Sequence, residues 1–422
     1  MILFLYSGFK LSGADQKMED TFRISQQRVI AAATLLLFVL PLMSFGQQTR
    51  QNQVPAVSRR SDILSKFPLT KFYDTPVPLP PGKPGDLIRS APFDGYVLSS
   101  GVEAVRILYY SRSYNGELVA SSGVVLYPDS KPPTGGWPVL AWAHELNGVA
   151  RVCAPSLSRN LQHGPFLSMY VNLGYAVVAT DYTGLGTSFR NAFADVRSNA
   201  EDVIYSVQAA RSAVPQLGSR WVAIGMDEGA TAVVGVAELQ HRNRDPGYLG
   251  AIAISRLTDL EDLLTPSANQ SPQLPLLLVY GLKTIFPLFE PRDILTDKAL
   301  PLFDQLAAEC GARVAEKVPM TDMLKQHWSD NRFVQDFFRQ NRLGTQPAEG
   351  PLMVVTSEGD LAFGATTKVV ARLCKQGDKV LFNRYGEYDP GAVIGDSTRD
   401  QIAWIQDRFA RRPASGNCSV QP

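Results

Sequence analysis

Apolar positions along this chain follow a strand-then-helix rhythm that lapses once and then resumes. Glu117 to Tyr127 (ELVASSGVVLY) alternates like a half-buried strand, and Trp137 to Ala143 (WPVLAWA) reads as a fully buried one. Tyr175 to Thr180 (YAVVAT), Trp221 to Ile224, Ala251 to Ser255, Pro351 to Thr356 (PLMVVT) and Val380 to Tyr385 have the same short, β-rich character. Between them, helical spacing predicts helices over Phe166 to Asn172, Asn199 to Val214, the stretch after Gly229, Thr366 to Lys375 and Ser397 to Phe409. Such alternation argues for a mostly parallel sheet flanked by helices. From about Leu257 to Gln346 the rhythm breaks into a Leu- and Pro-rich stretch with helical patterns and no convincing strand. It is expected to be a mostly helical lid or cap (257–346) inserted between two parts of the core, 91–256 and 347–422. Residues 47–90, with PVPLPPGKPG at Pro76 to Gly85, read as an irregular Pro-rich arm.

Composition narrows the partners. The 422 residues are 45% hydrophobic, enough for a large core, and 41 basic against 40 acidic residues leave a formal charge of +1. That balance offers no electrostatic reason to expect nucleic acid. Zinc-type cysteine spacing and a G-x-x-x-x-G-K loop are both missing from the sequence, so no cofactor and no metal are expected. At the N-terminus, Arg23 and Arg28 precede the apolar run Val29 to Met43, followed by Ser44-Phe45-Gly46. This is the layout of a signal peptide over 1–46, with Met18 as an alternative start, and the run is short and Pro-interrupted for a membrane span. The protein is therefore expected to be secreted or periplasmic, with no integral membrane partner. Four cysteines, Cys153, Cys310, Cys374 and Cys418, then favour two disulfides in one of three pairings.

The stretch WVAIGMDEGATA, Trp221 to Ala232, carries the chemistry question. A short strand, Gly225, three residues, Gly229 and a small-residue helix reproduce the nucleophile elbow G-x-S-x-G, with Asp227 where the serine belongs.

The residues around it resemble the secretory lipases, lipase A-like α/β-hydrolases, over a dispersed match from about Pro92 to the C-terminus. The carrying segments are AWAHELNGVARVCAPS (Ala141 to Ser156), VVATDYTGLGTS (Val177 to Ser188), WVAIGMDEG, ARLCKQGD (Ala371 to Asp378) and IAWIQDRFARRPA (Ile402 to Ala414). The resemblance implies an α/β-hydrolase fold with a helical lid, Cys153 paired with Cys310, and Cys374 with Cys418. It places the nucleophile at Asp227, the triad acid at Asp360 and the triad histidine at Pro390, in Asp389-Pro390-Gly391. The segment supplying an oxyanion donor becomes His144-Glu145-Leu146-Asn147-Gly148.

These replacements remove the family's reaction as chemistry. A serine attacks an ester only when an imidazole takes its proton, and proline has nothing to titrate. An Asp at the elbow is a weak nucleophile toward an acyl carbon. Its charge ~4 Å from a developing oxyanion costs roughly 4 kcal/mol at an effective dielectric of ~20. Glu145 and Glu228, in the oxyanion region, add to this if they point inward. Aspartate does serve at alkyl carbons, but a histidine must then free the ester intermediate. Of His144, His163, His241 and His327, only His144 lies on the loop nearest the elbow, so it is the one candidate substitute base; its other reading is a hydrogen bond within its own loop. His327, in the inserted segment, reads as a solvated or lid-packing residue. Asp227 and Glu228 also suit a helix start electrostatically, and Pro390 suits a loop. Asp227, Glu228, Asp360 and Asp389 as a calcium cluster is the less favoured reading. The expectation is a pseudohydrolase that retains a site for an acyl or apolar small molecule. The alternative is an active esterase or lipase with a rearranged site using Asp227, Asp360 and His144.

Overall fold

The computed structural model describes residues 66–264, 273–306, 310, 318–386 and 390–418. The expected signal segment, residues 47–65 of the expected arm, and Asp389 lie outside them. Nine strands form one sheet among the described residues: β1 (Leu87–Pro92), β2 (Val102–Arg112), β3 (Leu118–Pro128), β4 (Trp137–Ala143), β5 (Ala176–Thr180), β6 (Leu217–Met226), β7 (Tyr248–Ile254), β8 (Leu352–Ser357) and β9 (Val380–Tyr385). Their order is β1-β2-β3-β5-β4-β6-β7-β8-β9. The pairs from β1 to β5 are antiparallel and those from β5 through β4 to β9 are parallel. Every residue of β5 and β8 is buried, the continuous apolar run expected of a sheet covered on both faces.

The hydrophobic pattern does not single out β1 or β2, and in β2 the reason is Arg106. This charge sits mid-strand in β2, only 4% exposed. Its guanidinium lies 3.4 Å from the Phe93 ring centroid and Nε donates to Tyr96 Oη at 2.8 Å. Aromatic faces and one hydroxyl make a buried cation tolerable, so the strand survives a residue that interrupts its pattern. The expected arm correspondingly ends before residue 90, because β1 begins at Leu87.

Nine α-helices are described: α1 (Gly164–Asn172), α2 (Val196–Ala213), α3 (Glu228–Asn243), α4 (Leu260–Leu263), α5 (Leu274–Ile285), α6 (Leu300–Leu306), α7 (Arg332–Gln340), α8 (Phe363–Gln376) and α9 (Pro390–Phe409). Residues of α2, α3 and α8 share one apolar cluster with the sheet, including Val203, Val233 and Val369. Residues of α1 and α9, including Leu167, Trp404 and Ile405, share a second cluster with it. Each fully buried aliphatic or aromatic side chain there contributes about 1.5–3 kcal/mol. The described residues of 257–346 contribute no named strand, and their helices α5, α6 and α7 close around a third cluster with Leu277, Phe289 and Phe337.

Helix α9 starts at Pro390, seven residues before the predicted start, so Pro390 opens a helix rather than sitting in a loop. Proline is comfortable there because the first helical N–H has no intrahelical acceptor to lose. Cys153 is joined to Cys310 and Cys374 to Cys418, each with Cα atoms 5.4 Å apart. These are the pairings the resemblance implies. They close loops of 157 and 44 residues, which restricts the unfolded chain by roughly 4–5 kcal/mol each in the chain-entropy model. Among the described residues no helix is long and apolar enough to cross a membrane.

Candidate active site

Strand β6 ends at Met226 and α3 begins at Glu228, leaving Asp227 alone at the turn with φ 50° and ψ −108°. A non-glycine residue there carries about 1–3 kcal/mol of strain. The flanking glycines are dictated by backbone approach. A Cβ on Gly225 would lie 2.0 Å from the Gly229 carbonyl oxygen, and one on Gly229 would lie 2.0 Å from that of Ala143. The Asp227 N–H donates to Ile254 O at 3.1 Å, fastening the turn to the end of β7. The elbow thus stands at the carboxyl ends of the parallel strands, beside β4, where the strand order reverses; ligands of such sheets gather there.

Asp227 does not cap its helix, contrary to the sequence reading, since its side chain makes no capping bond. The positive φ turns the carboxylate away from the first-turn amides and toward the end of β7. There Oδ1 accepts the Arg256 N–H at 3.3 Å, and the Ser255 hydroxyl also bonds it. Burial raises the Asp227 pKa, Ser255 and Arg256 oppose the rise, and the charge of Glu145 adds to it. Arg256, two residues beyond β7, donates from Nε to both oxygens of Asp360, at 3.1 and 3.3 Å. Asp360, on the loop between β8 and α8, is 7% exposed and also accepts the Ala362 N–H at 2.8 Å. Arg256 thus fastens Asp360 through its guanidinium and holds Asp227 through its backbone N–H.

Glu228 does point inward. Its Oε1 accepts from Ala194 N at 3.2 Å and Asn199 Nδ2 at 3.0 Å. Burial pushes its pKa up to about 7 against those two bonds, with Glu145 adding to the rise. On the other side of the elbow, His144 is 1% exposed and its ring stacks on Tyr182 with centroids 4.2 Å apart. Its Nδ1–H donates to Glu145 O at 2.6 Å, which leaves Nε2 as the unprotonated nitrogen, buried and without a partner among the described residues. Burial lowers its pKa.

The histidine that meets Glu145 is His163, whose Nε2 lies 2.9 Å from Glu145 Oε1. Burial alone would lower the His163 pKa, but the bond and charge of Glu145, helped by the charge of Asp227, raise it. Glu145 shifts down for the complementary reason: burial raises it, and His163 and its own backbone N–H outweigh that. Glu145 Oε2 is buried without a partner among the described residues. The structure shows no hydrogen bond from either imidazole to Asp227. His327 is exposed and pairs with Asp330 at 3.4 Å. Asp389, the fourth carboxylate of the calcium reading, lies outside the described residues. Among those residues no three metal-capable side chains cluster.

A cavity of about 130 Å³ opens above the elbow. Leu146, Phe193, Leu260, Leu263 and Leu274 wall it, and Asp227, Glu228 and Arg256 line it as well. Arg256 and His163 are the site residues that sequence reasoning passed over. A charged residue immediately after a buried parallel strand, as in AIAISR, is the signal that marks Arg256. His163 precedes a helix in LQHGPF, and nothing local links it to Glu145, eighteen residues earlier.

A model of the secretory lipase family matches residues 162–417. The fold is also similar to that of Candida antarctica lipase A in its closed state, at a TM-score of 0.70 and 17% identity over 85% of this chain and 90% of that one. The rice cell wall degrading esterase LipA from Xanthomonas oryzae is similar at a TM-score of 0.66 and 16% identity, over 79% of this chain and 100% of its own. A putative hydrolase from Legionella pneumophila gives a TM-score of 0.66 and 16% identity, over 78% and 100%. No curated protein matches the chain by sequence. The architecture is the α/β-hydrolase fold, as the sequence implied.

Proposed function

This chain belongs to the secretory lipase family, and from that premise we propose that it is an exported pseudohydrolase. In this reading it no longer performs serine-based ester hydrolysis and holds an apolar or acyl small molecule above Asp227. Asp227 occupies the nucleophile position, Asp360 the acid position and Pro390 the histidine position. The 257–346 segment acts as a lid, and its Leu260, Leu263 and Leu274 wall the cavity. The two disulfides fit an oxidising compartment and hence export.

The observation that carries the reading is Arg256 on Asp360. A triad acid works by accepting the imidazole N–H, which sets its tautomer and stabilises the imidazolium. Here the Nε of a permanent cation takes both acid oxygens. Asp227 offers no hydroxyl, and the inward-facing Glu228 adds acidity where an oxyanion would form.

One observation favours the alternative, an active ester hydrolase with a rearranged site. His163, poised on Glu145 and sensing the charge of Asp227, is a better base than His144. Hydrolysis of a short and a long p-nitrophenyl ester by the secreted protein separates the two readings. The pseudohydrolase gives background rates, and Asp227→Ser with Pro390→His and Arg256→Leu restores measurable turnover. Turnover by the wild type that His163→Ala abolishes would overturn it.

A further inference from the structure

We propose that the cavity above Asp227 takes an apolar chain ending in an ammonium group, in preference to a carboxylate, alcohol or ester. The inference rests on the pseudohydrolase reading, because a working triad would need an ester there, and it specifies the ligand class of that same site.

The walls set the apolar part. Leu146, Phe193, Leu260, Leu263 and Leu274 offer no hydrogen bonds from their side chains, and about 130 Å³ suits a short alkyl chain rather than a triacylglycerol. The polar end is decided by charge. Asp227 and Glu228 both line the cavity, whereas the one cation lining it among the described residues, Arg256, is committed through Nε to Asp360. Beyond the lining, Glu145 adds a further negative charge, which His163 offsets. Acid groups therefore outnumber cations around the ligand space.

Thr258 supplies a second sign of a missing partner. It is 2% exposed, it lines the cavity, and its hydroxyl has no hydrogen bond among the described residues. An ammonium brings three donors and a positive charge, which would meet Asp227 and Thr258 together. The raised pKa values of Asp227 and Glu228 point the same way, since burial without enough counter-charge produces them. A carboxylate entering the same space would face like charge, and an alcohol would gain hydrogen bonds but no Coulomb attraction.

The test is calorimetric titration of the secreted protein near neutral pH with n-octylammonium, octanoate and 1-octanol. Octylammonium is expected to bind at least about tenfold more tightly than either of the others. Asp227→Asn should bring it within about threefold of octanol, since the charge goes and the shape stays. Leu263→Trp, which fills the cavity, should weaken both by more than about tenfold. Octanoate binding as tightly as octylammonium, or no ammonium binding by the wild type, overturns the proposal without recourse to any variant. So does undiminished binding in a folded Leu263→Trp protein. Turnover of p-nitrophenyl octanoate is measured in parallel: turnover by the wild type sinks the pseudohydrolase reading, whereas an inert protein that prefers octanoate sinks only this inference.

Discussion

Two groups of buried acids in this molecule both contain carboxyls whose pKa burial raises, and they differ in how they are satisfied. Under the antiparallel side of the sheet, Asp181 accepts the Ser156 N–H at 2.9 Å, the Ser122 hydroxyl at 2.6 Å and the Ser156 hydroxyl. Asp202 beside it accepts the Thr183 N–H at 2.6 Å and the Thr183 hydroxyl at 2.9 Å. At the elbow, Asp227 has one long backbone bond and Ser255, on a backbone with positive φ, and Glu145 Oε2 has no partner among the described residues. Burial nevertheless pushes both Asp202 and Glu228 up to about 7. A displaced pKa therefore does not by itself mark a functional site here. Sparse hydrogen bonding, backbone strain and an adjoining cavity, found together only at the elbow of these two, are what set it apart.

The contrast breaks most visibly through stability. Asp181→Ala strands three buried donors and should cost about 3–5 kcal/mol in chemical denaturation. Gly229→Ala, which drives a Cβ into the Ala143 carbonyl, should cost about 2–3 kcal/mol, because backbone facing backbone cannot yield. Asp227→Asn should change stability by less than about 1 kcal/mol, since it removes a poorly paired charge and keeps the shape. Equal losses for Asp181→Ala and Asp227→Ala would erase the distinction between the two groups.

The same contrast has a pH dependence. Glu228 and Asp202 sit at about 7 in the folded protein against 4.5 and 3.8 ordinarily. Between those values the folded state holds protons that the unfolded chain has released, so stability present at acidic pH is lost as pH rises from about 4 to about 7. His163, raised by Glu145, acts in the same direction above its ordinary 6.5. Thermal melts should show Tm falling between mildly acid and mildly alkaline buffer, and Glu228→Gln should flatten part of that slope. A Tm that climbs across this window contradicts the assignment.

Much of the scaffold was legible because its signals are local. The β-rich runs at Trp137–Ala143 and Val380–Tyr385 became strands with the predicted bounds. The elbow showed itself through Gly225 and Gly229, whose backbones have no room for a side chain. Strand β2 stayed hidden behind Arg106, and the start of α9 behind a proline that could equally open a helix or occupy a loop.

The site was legible only in its gaps. That Asp227 carries no hydroxyl and Pro390 no imidazole can be read directly, since a side chain without these groups is without them in any fold. What surrounds Asp227 and Asp360 depends on side chains distant along the chain. Arg256 meets Asp360 across 104 residues and His163 meets Glu145 across 18. Whether Asp227 caps a helix or faces β7 turns on one positive φ that no composition or periodicity encodes. The sequence by itself determined the alternating sheet, the elbow and the carboxylate at its centre, because periodicity, backbone sterics and functional-group chemistry are local properties. Only the tertiary structure decided the charge balance above Asp227, because electrostatic interactions depend on distance and burial in space.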